Sequence, residues 1–143
     1  LIRRIALVVL FSAACASTPN SADDRAAAVR AALRDLGGGE TVKTLVVGEP
    51  DRSAELRAAL ARSLTVVSEA DVPQTDRESL PAGYARLQSI DIDGNQGTLR
   101  LQVGPIPKAA PGEISLACGT TYSFALHRIN GHWHAMVSGV AVC

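Results

Sequence analysis

The order of patterns along the chain predicts an α+β fold. Two N-terminal helices pack on one face of a mostly antiparallel β-sheet, and the sheet ends in a long, disulfide-closed hairpin. Three observations carry this. Early in the chain, apolar residues recur at three- and four-residue spacing. From Tyr84 onward the period changes to two. Two tight-turn dipeptides, Gly94-Asn95 and Asn130-Gly131, separate alternating segments.

The first helix is read over Asp23–Leu36. Ala26, Val29, Leu33 and Leu36 form one apolar stripe, Ser21 or Asp23 caps the start, and Gly37-Gly38-Gly39 ends it. Thr41–Val47 is β-branched and apolar, hence a strand. Asp51–Arg62 follows Pro50 as a second helix, with Leu56, Ala59, Leu60 and Leu64 along one face. Leu64–Val67 reads as a short strand, and polar Glu69–Gly83 as a surface loop. Tyr84–Ile92 and Gly97–Gly104 then alternate. A two-residue turn at Gly94-Asn95 sets Ile90 against Leu99, Gln88 against Leu101 and Arg86 against Val103. Pro105–Gly112 is a stiff loop before the last strand pair, which runs from about Ile114 to Cys143.

The final hairpin follows from its turn. With Asn130-Gly131 as a type I′ turn, Ile129 faces His132, Arg128 faces Trp133 and His127 faces His134. An unbroken register continues to Tyr122 with Gly139, Thr120 with Ala141 and Cys118 with Cys143. The cysteines then fall at a pair type with Cα atoms about 4.5 Å apart, inside the roughly 4.4–6.8 Å a disulfide needs. Such a bond restricts the unfolded chain by about 3–4 kcal/mol. A β-bulge would shift this register, and Gly119 and Gly139 are the places to expect one. Tyr122, Phe124, Leu126, Trp133, Ala135 and Val137 share the core side. His127, Ile129, His132, His134, Ser123 and Ser138 share the other, with Met136 and Val140 as apolar exceptions.

Composition bounds the function. A chain of 143 residues with 47% apolar residues fits one domain with a real core. Basic and acidic residues balance at 14 each, against the basic surplus a nucleic-acid binder needs. The few aromatics, Phe11, Tyr84, Tyr122, Phe124 and Trp133, offer no stacking platform for bases.

Residues 1–15 (LIRRIALVVLFSAAC) have two arginines, an apolar run from Ile5 to Ala14 and small residues. This is the layout of a secretory signal peptide. The run is too short for the roughly 20 residues that span a bilayer. Ser12-Ala13-Ala14-Cys15 resembles the lipobox of bacterial lipoproteins, with Ser where a large aliphatic is usual. The resemblance implies lipidation of Cys15, a membrane anchor and a place in the cell envelope facing the periplasm. The other reading is a plain Ala-x-Ala cleavage that discards Cys15 and leaves a soluble periplasmic or secreted protein. Residues 16–22 then form a small, polar tether, and 23–143 the single α+β domain. Cysteine parity agrees with export: with Cys15 acylated or removed, Cys118 and Cys143 remain as a pair.

All three histidines lie within eight residues, on one face of the last hairpin. His132 and His134 at i, i+2, with His127 across from His134, are one way to build a Zn²⁺ or Cu²⁺ site with an open position for water. The alternative is a solvent-facing histidine cluster, since Cys118–Cys143 has no carboxylate to orient ligands. Asp91–Gly97 (DIDGNQG) begins like a calcium loop but has Gln96 and Gln102 where the motif needs Gly and Glu, so a hairpin turn is preferred. Cys118 as a nucleophile would have to be unpaired, with the imidazoles on its own face. Ser115, Ser123 and Ser138 lack a catalytic serine context.

The stretch Leu126–Trp133 (LHRINGHW) resembles the late hairpin of nuclear-transport-factor-2-like, cystatin-like α+β domains. The likeness covers roughly the last 60 residues in pattern. It implies a sheet curled around N-terminal helices, with a cone that often takes a small molecule, or a dimer. The strand Thr41–Val47 between the helices departs from that family's opening. Together these readings lead to an exported interaction module with an unknown protein or small-molecule partner and no catalytic residue assigned. A metal-dependent hydrolytic domain is the alternative.

Overall fold

The computed structural model describes residues 21–36, 42–48, 50–74, 80–105 and 119–142. The first helix, α1 (Ala22–Asp35), starts where Ser21 Oγ accepts the Asp24 N–H at 3.1 Å. This satisfies one of the donors that every helix start leaves open. Asp23 and Asp24 place negative charge at the positive end of the helix dipole. The buried side is lined by Ala26, Ala28, Val29, Ala31 and Ala32, while Leu33 and Leu36 are only partly buried. The contact face is thus rotated toward the alanines, where small side chains let the helix lie close to its neighbours.

β1 (Thr44–Val47), α2 (Pro50–Leu60) and β2 (Thr65–Val67) form a βαβ unit with the two strands parallel. A helix between neighbouring strands is the connection a parallel pair requires. α1 is fastened to this unit by Arg30, which donates to the Ala59 carbonyl and, through Nε, to Ser63 Oγ at 2.7 Å. The guanidinium thereby supplies a donor to the end of α2. A single 3-10 turn at Glu69–Asp71 lies within the connection that leads to β3 (Tyr84–Asp93). β3 pairs in parallel with the other side of β1. β4 (Gln96–Val103), β5 (Thr120–Ile129) and β6 (His132–Val142) then add antiparallel in chain order. The sheet is mixed, in the order β2-β1-β3-β4-β5-β6. One core joins α1 and α2 to the sheet, with Leu45, Leu60, Leu99, Leu101, Phe124 and Leu126 fully buried.

Both turns form at the expected residues. Asn130 and Gly131 have φ of 51° and 79°, the two positive values of a type I′ turn. At the other turn Gly94 has φ 61° and Asn95 is not in the left-handed region, the pattern of type II′.

Both hairpins depart from the unbroken register, each by one bulge. Between Leu87 and Ser89 the pairing with β4 shifts and Gln88 is the extra residue. Leu87, not Gln88, therefore faces Leu101, and Ala85, not Arg86, faces Val103. The reason is solvation. An unbroken strand would turn Gln88 and Arg86 onto the buried face, whereas the bulge turns Ala85 there and leaves Arg86 to Glu69 and Gln102.

In the last hairpin the shift falls between Ser123 and Phe124, with Ser138 as the extra residue of β6. Tyr122 pairs with Val140 rather than Gly139, and Thr120 with Val142 rather than Ala141. Val140 thereby joins the helix-bearing face. The shift also removes the register that aligned Cys118 with Cys143. Both cysteines lie outside the described residues, as do residues 1–20 with Cys15, and no disulfide is found among the residues described.

Candidate interaction surface

The β5–β6 end of the sheet is held by a buried polar cluster. The Asp24 carboxylate, 4% exposed, accepts from Arg128 Nη1 and from Trp133 Nε1, both at 2.8 Å. Arg128 also donates through Nε to Asn95 Oδ1 at 3.1 Å and through Nη2 to the Gly94 carbonyl at 3.2 Å. Its guanidinium lies 5.1 Å from the centre of the Trp133 ring. One side chain thus connects the start of α1, the β3–β4 turn and the β5–β6 strands. A buried carboxylate is tolerable only because its partners replace water, and no buried side-chain donor or acceptor among the described residues lacks a partner.

Sequence reasoning missed Asp24 as the centre of this cluster. Two signals were present. Ser21 and Asp24 have capping-box spacing, and the hairpin register put Arg128 beside Trp133 on the core side. A charge on a buried face requires a counter-charge, but nothing local points to a residue 104 positions earlier.

Beyond that cluster, the opposite face of strands β3 to β6 carries mainly exposed side chains among the described residues. Register places Asp93, Gln96, His127 and His134 in one row across four strands, and Asp91, Thr98, Ala125 and Met136 in the next. His127 and His134 are direct cross-strand partners, as expected, and His132 stands two residues from His134 opposite Ile129. All three imidazoles are exposed. Among the described residues, no three His, Cys, Asp or Glu side chains come together so as to hold a metal ion. The histidines share a face without forming a ligand set.

Two open depressions lie nearby. One, of about 240 Å³, is lined by Asp91, Asp93, Gln96, Gly97 and Thr98. The other, of about 250 Å³, lies between the end of α1 at Ala31, Arg34 and Asp35 and the β6 residues Trp133, His134 and Ala135.

The boundary of the sheet at β6 has a different character. β6 is the terminal strand of the sheet, and β5 is its one partner among the described residues. The strand has 11 residues and contains no Asp, Glu, Lys, Arg or Pro. Among the described residues five large apolar side chains stand out as exposed, and four of them are on this strand: Met136 at 63%, Val140 at 55%, Val142 at 51% and Val137 at 42%. Trp133 is buried at the tip end. Helix α1 lies against that end, and among the described residues Val137, Val140 and Val142 on the helix-bearing face of the edge are exposed.

Compared with protein-family models, with curated proteins and with solved structures, the chain finds no match.

Proposed function

We propose that this chain is an exported lipoprotein of the bacterial cell envelope that serves as a non-enzymatic interaction module, with the β6 edge as its contact surface. Export and anchoring rest on residues 1–15: the paired arginines, the short apolar run and the lipobox-like ending at Cys15. Among the described residues no helix is long and apolar enough to cross a membrane, so the proposed attachment is the lipid on Cys15. A Cys118–Cys143 disulfide belongs to the same proposal and rests on export and cysteine parity. Alkylation of the folded protein with and without reductant, read by intact mass, tests it.

The observation that carries the contact surface is the concentration of exposed apolar side chains on one uncharged terminal strand. Exposed apolar groups scattered singly are ordinary, whereas contiguous ones mark contact sites. Photo-crosslinking in the producing cell tests this reading. A benzophenone amino acid replacing Met136 should give protein adducts, and the same group at exposed Glu55 on α2 should not. Equal or absent crosslinking from both positions would refute it.

A further inference from the structure

One side chain on the polar face of the sheet differs from its neighbours. Met136 is the one methionine of the chain and, among the described residues, the most exposed of the large apolar side chains. Val137, Val140 and Val142 stand on the helix-bearing face of β6, paired with Phe124, Tyr122 and Thr120, whereas Met136 stands on the opposite face with the histidines. A thioether at such a place gains little from burial. Its polarisable sulfur has a second chemistry, as a soft metal ligand.

Two imidazoles lie beside it. His134 is two residues before Met136 on the same strand and face, about 7 Å along the strand. His127 is the direct cross-strand partner of His134, which sets their Cβ atoms about 4.5–5.5 Å apart, within reach of one shared ion. The three residues occupy three corners of one patch, and the fourth corner is Ala125, opposite Met136 and two residues before His127. A methyl group at that corner leaves the flexible thioether room to turn toward the imidazoles. His127, His134 and Met136 are all exposed, so they can close on an ion without disturbing the core. The charge of the patch favours a cation. The row of His127 and His134 contains Asp93, the row of Met136 contains Asp91, and neither row contains a lysine or arginine.

We propose that His127, His134 and Met136 form a surface site for the cuprous ion. Three nitrogen, oxygen or thiol ligands do not come together among the described residues, and here the third donor is a thioether. The donor set selects the metal. Imidazole serves zinc, copper, iron and nickel alike, but a neutral thioether beside it points to Cu⁺. His132 is not a ligand: it lies on the turn side of His134, opposite Ile129 and away from Met136. Structural metal sites are closed, whereas three exposed donors on a sheet face hold an ion that can exchange. The proposal rests on neither export nor the contact surface.

The test uses the full chain with its thiols alkylated, so that cysteine does not compete for the ion. Side-chain NMR with Ag⁺, a stand-in for Cu⁺ that is stable in air, reads the site locally. Ag⁺ should shift the Met136 methyl resonance and the ring resonances of His127 and His134, and leave His132 in place. Under anaerobic conditions, competition with a Cu⁺ chelator gives the affinity. His127→Ala, His134→Ala and Met136→Leu should each weaken binding about tenfold or more, and His132→Ala should change it by less than about twofold. Met136→Leu keeps the volume and apolar character of the side chain, so its loss of binding is not a loss of fold. A Met136 methyl that stays in place while the imidazoles shift would overturn the thioether as a ligand and the choice of Cu⁺ with it. An equal loss in His132→Ala would replace this site by one of three imidazoles. No shift at saturating Ag⁺ would remove the site altogether.

Discussion

At the scale of single residues, Asp24 is the buried acceptor on which both Arg128 and Trp133 depend. Asp24→Ala would leave the Arg128 guanidinium, 13% exposed, without its counter-charge, and Trp133 Nε1 without an acceptor. Removing one partner of a buried pair costs about 3–5 kcal/mol, and the remaining bonds to Asn95 and Gly94 put this case near 3 kcal/mol. Chemical denaturation should show that loss, whereas a change under about 1 kcal/mol would mean that the cluster is peripheral. Two glycines give a sharper contrast. A Cβ on Gly97 would lie 2.5 Å from the Asp91 carbonyl oxygen, while one on Gly139 would lie 3.7 Å from Ser123 Cβ. Gly97→Ala should therefore destabilise by about 1–3 kcal/mol, and Gly139→Ala should be close to neutral, with equal effects counting against this packing. At this scale the sequence was legible where the determinant is local. Ser21 as a cap and Asn130-Gly131 as a turn are read from their own chemistry. The pairing of Asp24 with Arg128 is not, because it exists only once α1 lies across β5 and β6.

At the scale of elements, the helices and strands fall close to where hydrophobic period places them, because burial acts on alternate or every third-to-fourth residue and leaves that mark in sequence. Register is harder to read. A two-residue turn fixes the pairs beside it, and each later pair inherits any bulge between. Gln88 and Ser138 each break that inheritance, and neither is a glycine that would advertise the break. The first bulge could have been suspected from Arg86 and Gln88 facing apolar Val103 and Leu101, a mismatch that one inserted residue removes. The second left a subtler trace in Val140, apolar on the histidine side until the shift moves it across. Nuclear Overhauser spectra decide the register. Cross-strand contacts should join Tyr122 to Val140 and Thr120 to Val142. Contacts of Tyr122 with Gly139 and Thr120 with Ala141 would restore the unbroken hairpin and the alignment of the two cysteines.

For the whole molecule, the chain has two halves of different pairing. A βαβ unit with β3 parallel beside it at one end meets three antiparallel additions at the other. Sequence order suggested the antiparallel half, since hairpin turns are local signals. The parallel half was less legible, because parallel neighbours are distant in sequence and share no turn. The histidine face illustrates the same limit: register brings His127 beside His134, but a ligand set needs side-chain convergence that register does not supply. The proposed attachment to a membrane belongs to the N-terminal segment. Intact mass of the mature protein should show a diacyl or triacyl modification on Cys15, and a free N-terminus at Ala16 or Ser17 would refute lipidation.

The contact surface at β6 is the central claim, and hydrogen exchange reads it most directly. In an antiparallel edge strand, about half of the backbone N–H groups point away from the sheet and exchange freely unless another strand covers them. Exchange of the outward-pointing amides across Met136–Val142 should be fast in the purified protein and slow markedly when membranes of the producing cell are added, while the amides of α2 stay unchanged. Equal exchange of the β6 amides with and without those membranes would contradict β6 as the contact surface.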